Sequence, residues 1–243
     1  MPCPGWANFD HFRLISSLPT LTLLYPPQSG ERVLLPVLTR LNFRGQSEYL
    51  ERFVDRIDAP RLGEIEVIFF NTPLFNLSNL SKFINRIEMH KSHNQARILS
   101  SERAISISLI QPGTPMRLEL QLLCEPLSVQ LVYMAEICIH LSAFLLNVGD
   151  LRISTTRPST RGDKLPSGRW LESISSFTGV RSFHIEGNLS TDIVGALQLP
   201  DAPGETVLPT LHKICLLHPG PCHAPLGETV VSLITSRRFS GHS

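Results

Sequence analysis

One spacing of apolar positions returns five times along the chain. Leu38, Leu41 and Phe43 set it, and it recurs as Leu62, Ile65, Val67 and as Val148, Leu151, Ile153. Two further copies are Val180, Phe183, Ile185 and Leu211, Ile214, Leu216. The outermost copies are nearly the same word: LPVLTRLNF from Leu35 and LPTLHKICL from Leu208. Residues two apart on a strand point to one face. The last two apolar residues of each copy therefore predict a short strand with one buried face, and the first predicts a plug in the turn before it. LPTLTLLYPP, from Leu18, offers a sixth copy weakened by Pro26 in its third apolar slot.

Between the copies the period lengthens to that of helices. Ser47 reads as an N-cap, and Leu50, Phe53, Val54 and Ile57 follow at helical spacing. Asp58–Pro60 closes that helix and feeds the next strand. Leu77, Leu80, Ile84 and Ile87 repeat the stripe, and a third helix is predicted from Leu127 to about Phe144. Shorter ones are expected over Trp170–Phe177, Thr191–Leu197 and Glu228–Arg237, with Arg237 and Arg238 in a last turn that favours cations.

The wide gap between the second and third copies has its own period of two. Ile105, Ile107, Leu109 and then Met116, Leu118, Leu120, Leu122 alternate across QPGTP, a hairpin loop. A single strand-and-helix unit cannot bury its apolar face and must stack on neighbours. The pattern thus predicts an α/β fold of the irregular leucine-rich-repeat-like kind. A curved, mostly parallel sheet forms one face, helices form the other, and a β-hairpin is inserted around residues 97–124. Residues 1–34 read as a terminal repeat or partial cap, whose Trp6, Phe9 and Phe12 lack a capping pattern and leave the first repeat exposed. Residues 35–243 form the repeat domain, and the polar stretch 154–169 is a surface loop.

Composition narrows the function classes. The 243 residues carry a net charge of +1, which gives no global field to recruit nucleic acid or an acidic membrane. The most apolar stretch, Leu131–Leu146, is shorter than a membrane span and contains Glu136 and His140; His140 reads as a hydrogen-bonded core or boundary residue. Five scattered cysteines do not form a disulfide framework, and MPCPGWANFD has no secretory pattern, so a cytoplasmic or nuclear protein is expected. The sequons at Asn76, Asn79 and Asn188 then carry no glycan.

No nucleophile elbow, phosphate loop, dinucleotide fingerprint or zinc-protease motif occurs, so neither catalysis nor a cofactor is expected. Cys215, His218, Cys222 and His223 offer metal-ligand chemistry, but their spacing matches no zinc knuckle. A strand residue followed by a Pro-Gly loop explains them, and His90 and His93 read as a solvated helix end.

The strands themselves supply the candidate site. With the leading apolar residue as position one, positions four and six face the core, and positions three, five and seven face away. Those outward positions hold Arg40, Asn42, Arg44, Glu64, Glu66, Asp150, Arg152, His184, Glu186 and Lys213, together with Ile68, Ser154, Ser182, Cys215 and Leu217. Polar residues of both signs on a concave sheet predict a protein-binding surface, while a merely solvated face would carry the same residues.

LPVLTRLNFRGQSEYLERFVDRIDAPRLGEIEVIFFN, the region opening QARILSSERAISISL and the closing VVSLITSRRFSGH resemble the leucine-rich-repeat-like proteins of mushroom-forming fungi, many of them F-box proteins. The resemblance spans roughly Leu35 to His242. It implies a curved repeat domain that selects a substrate for a ubiquitin ligase where a full F-box precedes it, with the ligase adaptor as a partner only in that case. Nothing before Leu35 reads as the Leu-Pro-x-Glu-type segment of an F-box. The alternative expectation is a truncated paralogue or fragment with a structural role and no specific partner.

Overall fold

A computed structural model describes residues 11–14, 32–70, 76–87, 93–114, 116–124, 127–156, 167–186, 193–194, 197 and 207–217. In chain order its elements are β1 (His11–Leu14), β2 (Val33–Leu34), β3 (Arg40–Gly45), α1 (Ser47–Val54), β4 (Ile57–Asp58) and β5 (Glu64–Phe70). Then come α2 (Ser78–Arg86), β6 (Gln95–Ser100), β7 (Ala104–Ile110), β8 (Arg117–Leu123), α3 (Leu127–His140) and α4 (Ser142–Leu145). β9 (Asp150–Thr155), α5 (Ser167–Ile174), β10 (Ser182–Glu186) and β11 (Lys213–Leu217) complete the series.

All five copies of the spacing become a turn followed by a strand. In each, the backbone N–H of position one donates to the carbonyl three residues earlier: Leu38 to Leu35, Leu62 to Ala59, Val148 to Leu145, Val180 to Phe177 and Leu211 to Leu208. These bonds measure 3.1–3.4 Å, and the accepting residues are all buried and apolar. The shared Leu-Pro-x-Leu lettering of the outermost copies is the sequence of this turn. A second bond pattern fastens neighbouring turns together. The carbonyl at position two accepts two successive N–H groups of the next strand's start: Thr39 from Gly63 and Glu64, Gly149 from Arg181 and Ser182, Arg181 from His212 and Lys213.

Nine strands make one sheet in the order β1-β3-β5-β8-β7-β6-β9-β10-β11. β3, β5 and β8 run parallel, as do β6, β9, β10 and β11. The sheet is nevertheless mixed, because β1 runs antiparallel to β3 and β7 runs antiparallel to both β8 and β6. The expected hairpin over 97–124 is instead a three-strand meander built into the sheet. Its first strand escapes the sequence pattern because the small Ala96 stands where the other strands place a large apolar residue. Its turns are tight: Ser101 N–H and Oγ both donate to Ala104 O, and Gly113 takes φ 80°, a backbone region glycine enters freely.

Register confirms the predicted face and extends it. Leu41, Ile65, Leu118, Leu109, Ala96, Leu151, Phe183 and Ile214 are successive cross-strand partners, and the next rung is Phe43, Val67, Leu120, Ile107, Ile98, Ile153, Ile185 and Leu216. All are buried except Ile214 and Leu216, which are half-buried on β11, the end strand of the sheet among the described residues. The helices pack on this side, in one core with both rungs.

Two polar side chains organise the helical layer. Gln130 of α3 is fully buried; its Nε2 donates to Ser101 O and Cys124 O, and its Oε1 accepts from Ser100 Oγ, which clamps both ends of the meander. Glu51 of α1 accepts the N–H groups of Asn79 (2.7 Å) and Leu80 (2.9 Å), capping α2 from the neighbouring helix. Burial raises the Glu51 pKa above its ordinary 4.5, against the opposing pull of those two N–H groups and of the nearby His140 and Lys82 charges.

Several local expectations change. Ser47 is the first buried turn of α1 and not its cap, which falls at Gln46. The first helix ends at Val54, and Ile57–Asp58 pairs with Val33–Leu34 as a separate two-strand ribbon. Arg86 closes that corner through Asp58 at 2.8 Å and through the Val54 and Ile57 carbonyls. His93, expected in solvent, is 1% exposed. The first repeat is not bare: β1 pairs with β3 from Leu14↔Leu41 to His11↔Arg44. His218, Cys222, His223, Arg237 and Arg238, the copy at Leu18, the loop residues 157–166 and the predicted terminal helix lie outside the described residues.

Candidate functional site: the polar face of the sheet

One residue away from each buried rung lies an outward one. The central outward rung reads Asn42, Glu66, Glu119, Ser108, Arg97, Arg152, His184, Cys215 across eight strands. The rung on one side reads Arg40, Glu64, Arg117, Ile110, Gln95, Asp150, Ser182, Lys213; that on the other reads Arg44, Ile68, Gln121, Ser106, Leu99, Ser154, Glu186, Leu217. All ten residues expected on this face stand on it, half-buried or, for Arg44 and Lys213, exposed.

The three strands of the meander add residues the repeat spacing could not reach. Arg97, Arg117 and Glu119 occupy the middle of the face, where sequence reading of the five copies leaves a gap. Alternation with Leu118 and Leu120 was the signal that places Arg117 and Glu119 outward. β7 contributes Ala104, Ser106, Ser108 and Ile110 on this side, and the first three are buried although their rungs are polar. Longer side chains on the neighbouring β8 and β6 flank these small residues.

Charge is used differently at the two ends. Around β3, β5 and β8 most of the ions neutralise one another: Arg40 reaches Glu64 (3.2 Å) and Glu66 (3.6 Å), Asn42 Nδ2 donates to Glu66 (3.0 Å), and Arg117 pairs with Glu119, while the exposed Arg44 makes no ion pair among the described residues. Around β6, β9 and β10 the cations have no such partners. Arg97 and Arg152 are direct cross-strand neighbours with His184 next in the rung, and none of the three makes a hydrogen bond or ion pair among the described residues.

Cys138, within α3, is wholly buried, which pushes its thiol far up and leaves it inert. Among the described residues no three His, Cys, Asp or Glu side chains converge as a metal site. No described helix is long and apolar enough to cross a membrane.

No protein-family profile matches the chain, and no curated protein matches it. A solved structure with some likeness is the leucine-rich-repeat-containing protein LegL7 from Legionella pneumophila, at 14% identity and a TM-score of 0.34. The match covers 82% of this chain and 51% of that protein, so the chain spans about half its length. The likeness is too slight to assign this chain a fold or a function.

Proposed function

We propose that the chain is a non-enzymatic, leucine-rich-repeat-like interaction domain that docks a partner protein across the polar face of its sheet. The observation that carries this reading is the set of three outward rungs in continuous register, rich in side chains of both signs, opposite the face that the helices cover. Each strand offers about three outward side chains, so a partner of useful affinity must span several strands. The recurring turn and its shared carbonyl support the repeat-like description. The resemblance to fungal F-box-associated repeat proteins extends the proposal to a substrate receptor of a ubiquitin ligase, with the adaptor bound only through an F-box.

The test is affinity capture from native extract with charge reversals on the two sides of the molecule. Arg152→Glu, on the polar face, should lose the captured partner while keeping the parent's melting temperature. Arg52→Glu, exposed on α1, should keep it. Capture lost with Arg52→Glu and retained with Arg152→Glu would move the interface to the helical side. A stoichiometric partner that no reversal affects would place the interface outside both tested positions, and no partner at all would leave the domain as a structural remnant.

A further inference from the structure

Like charges placed directly opposite on neighbouring strands repel, and such pairs are ordinarily separated or neutralised. On this face the rule is obeyed at one end and broken at the other. Arg97 and Arg152 stand side by side, with His184 completing three nitrogen-bearing side chains in one rung, and no described carboxylate within ion-pairing distance. Glu119, the nearest acidic group along the same rung, is held by Arg117 and set apart by the intervening Ser108. We infer that Arg97 and Arg152 are the anchor points for an acidic segment of the partner protein, whose Asp or Glu carboxylates supply the missing counter-charge.

This rests on the polar face being the docking surface, and it names the chemistry of what docks there. Two arginines at directly paired positions of neighbouring strands each offer a guanidinium fork, which carboxylates match in geometry as well as charge.

The probe is a fluorescently labelled hexaglutamate peptide, titrated with the full chain at low ionic strength and followed by anisotropy. The parent should bind it, and added salt should weaken binding as it screens the charges. Arg97→Gln with Arg152→Gln should weaken it by about tenfold or more, while Arg52→Gln should not. Thermal melting of the same samples checks the fold, and Arg97→Gln alone, at an exposed position, should show a smaller loss in the same direction. Equal binding by parent and double variant overturns the inference, as does a single-stranded oligonucleotide that binds more tightly than the peptide. Either result leaves the docking face itself to be judged by the capture experiment, in which face reversals are scored without regard to the partner's charge.

Discussion

The sheet's two faces differ by one residue in sequence and by nearly everything in chemistry. Leu41 and Asn42, Ile65 and Glu66, Leu151 and Arg152, Phe183 and His184 are adjacent pairs divided between a buried rung and an outward one. The buried rung is apolar from β3 to β11, even where the meander interrupts the repeat spacing. Among the described residues the outward rung changes character along its length, from carboxylates held in ion pairs to cations that make none. A core tolerates no local departure, because each residue supports its neighbours on both sides. A solvated face is free to vary wherever something other than folding selects it.

Substitutions that exchange the two faces' chemistry should have the largest effect. Leu151→Asp puts a carboxylate between Ala96 and Phe183 in the middle of the buried rung. Losing the leucine alone costs about 2–5 kcal/mol, and burying an unpaired charge adds to it. The variant should be unfolded by circular dichroism at a temperature where Arg152→Glu, one residue on, is native. A native Leu151→Asp would place the register one residue out.

A smaller break lies where two turns touch. A Cβ on Gly179 would sit 2.2 Å from the carbonyl oxygen of Leu146, a backbone atom that cannot swing aside. Gly179→Ala should cost about 1–3 kcal/mol through overpacking, read as a lower denaturation midpoint with an unchanged slope. Gly149→Ala is the control, since its Cβ would meet only the Asn94 oxygen at 3.9 Å.

Glu51 sharpens the comparison from the core side, as a carboxylate the fold does accept. Removing it as Glu51→Ala strands two N–H groups of α2 and should cost about 1–2 kcal/mol. Its pH dependence has a definite sign. With the pKa raised by burial, the fold favours the neutral acid, so its contribution is complete below pH 4.5 and is lost as pH rises through the raised value. Glu51→Gln stays neutral throughout. Its melting temperature should match the parent's near pH 4 and gain on it as pH rises; a constant difference between the two would remove burial as the cause.

The recurrent spacing made the five repeat strands and their inward residues legible, because a period of two and a turn plug both leave apolar marks. The order of β6, β7 and β8 was not legible. Alternation tells which residues share a face, but it does not tell which strand lies beside which or in what direction. Glu119 was missed for that reason although its neighbours Leu118 and Leu120 were in plain alternation, and Arg97 was missed because the small Ala96 hides the strand that carries it. Glu51 left no mark at all, since a charge at the margin of an amphipathic stripe ordinarily points to water. Lone polar residues such as His93 mislead in the opposite direction.

The shared carbonyl at the turns bears on how such a chain grows. It is a bond between main chains only, and position two carries Thr39, Gly149 or Arg181 indifferently. The same fastening reappears at one border of the meander, where Asn94 O accepts the N–H groups of Gly149 and Asp150, and a single bond of that kind, Arg117 N–H to Gly63 O, closes the other. A segment with a different internal direction is thus joined to the units on either side by main-chain bonds of the same kind. Lineages of this architecture can gain or lose whole blocks at such seams while leaving the flanking units unchanged, so descent would be recorded in the joints long after the side chains between them have drifted beyond recognition.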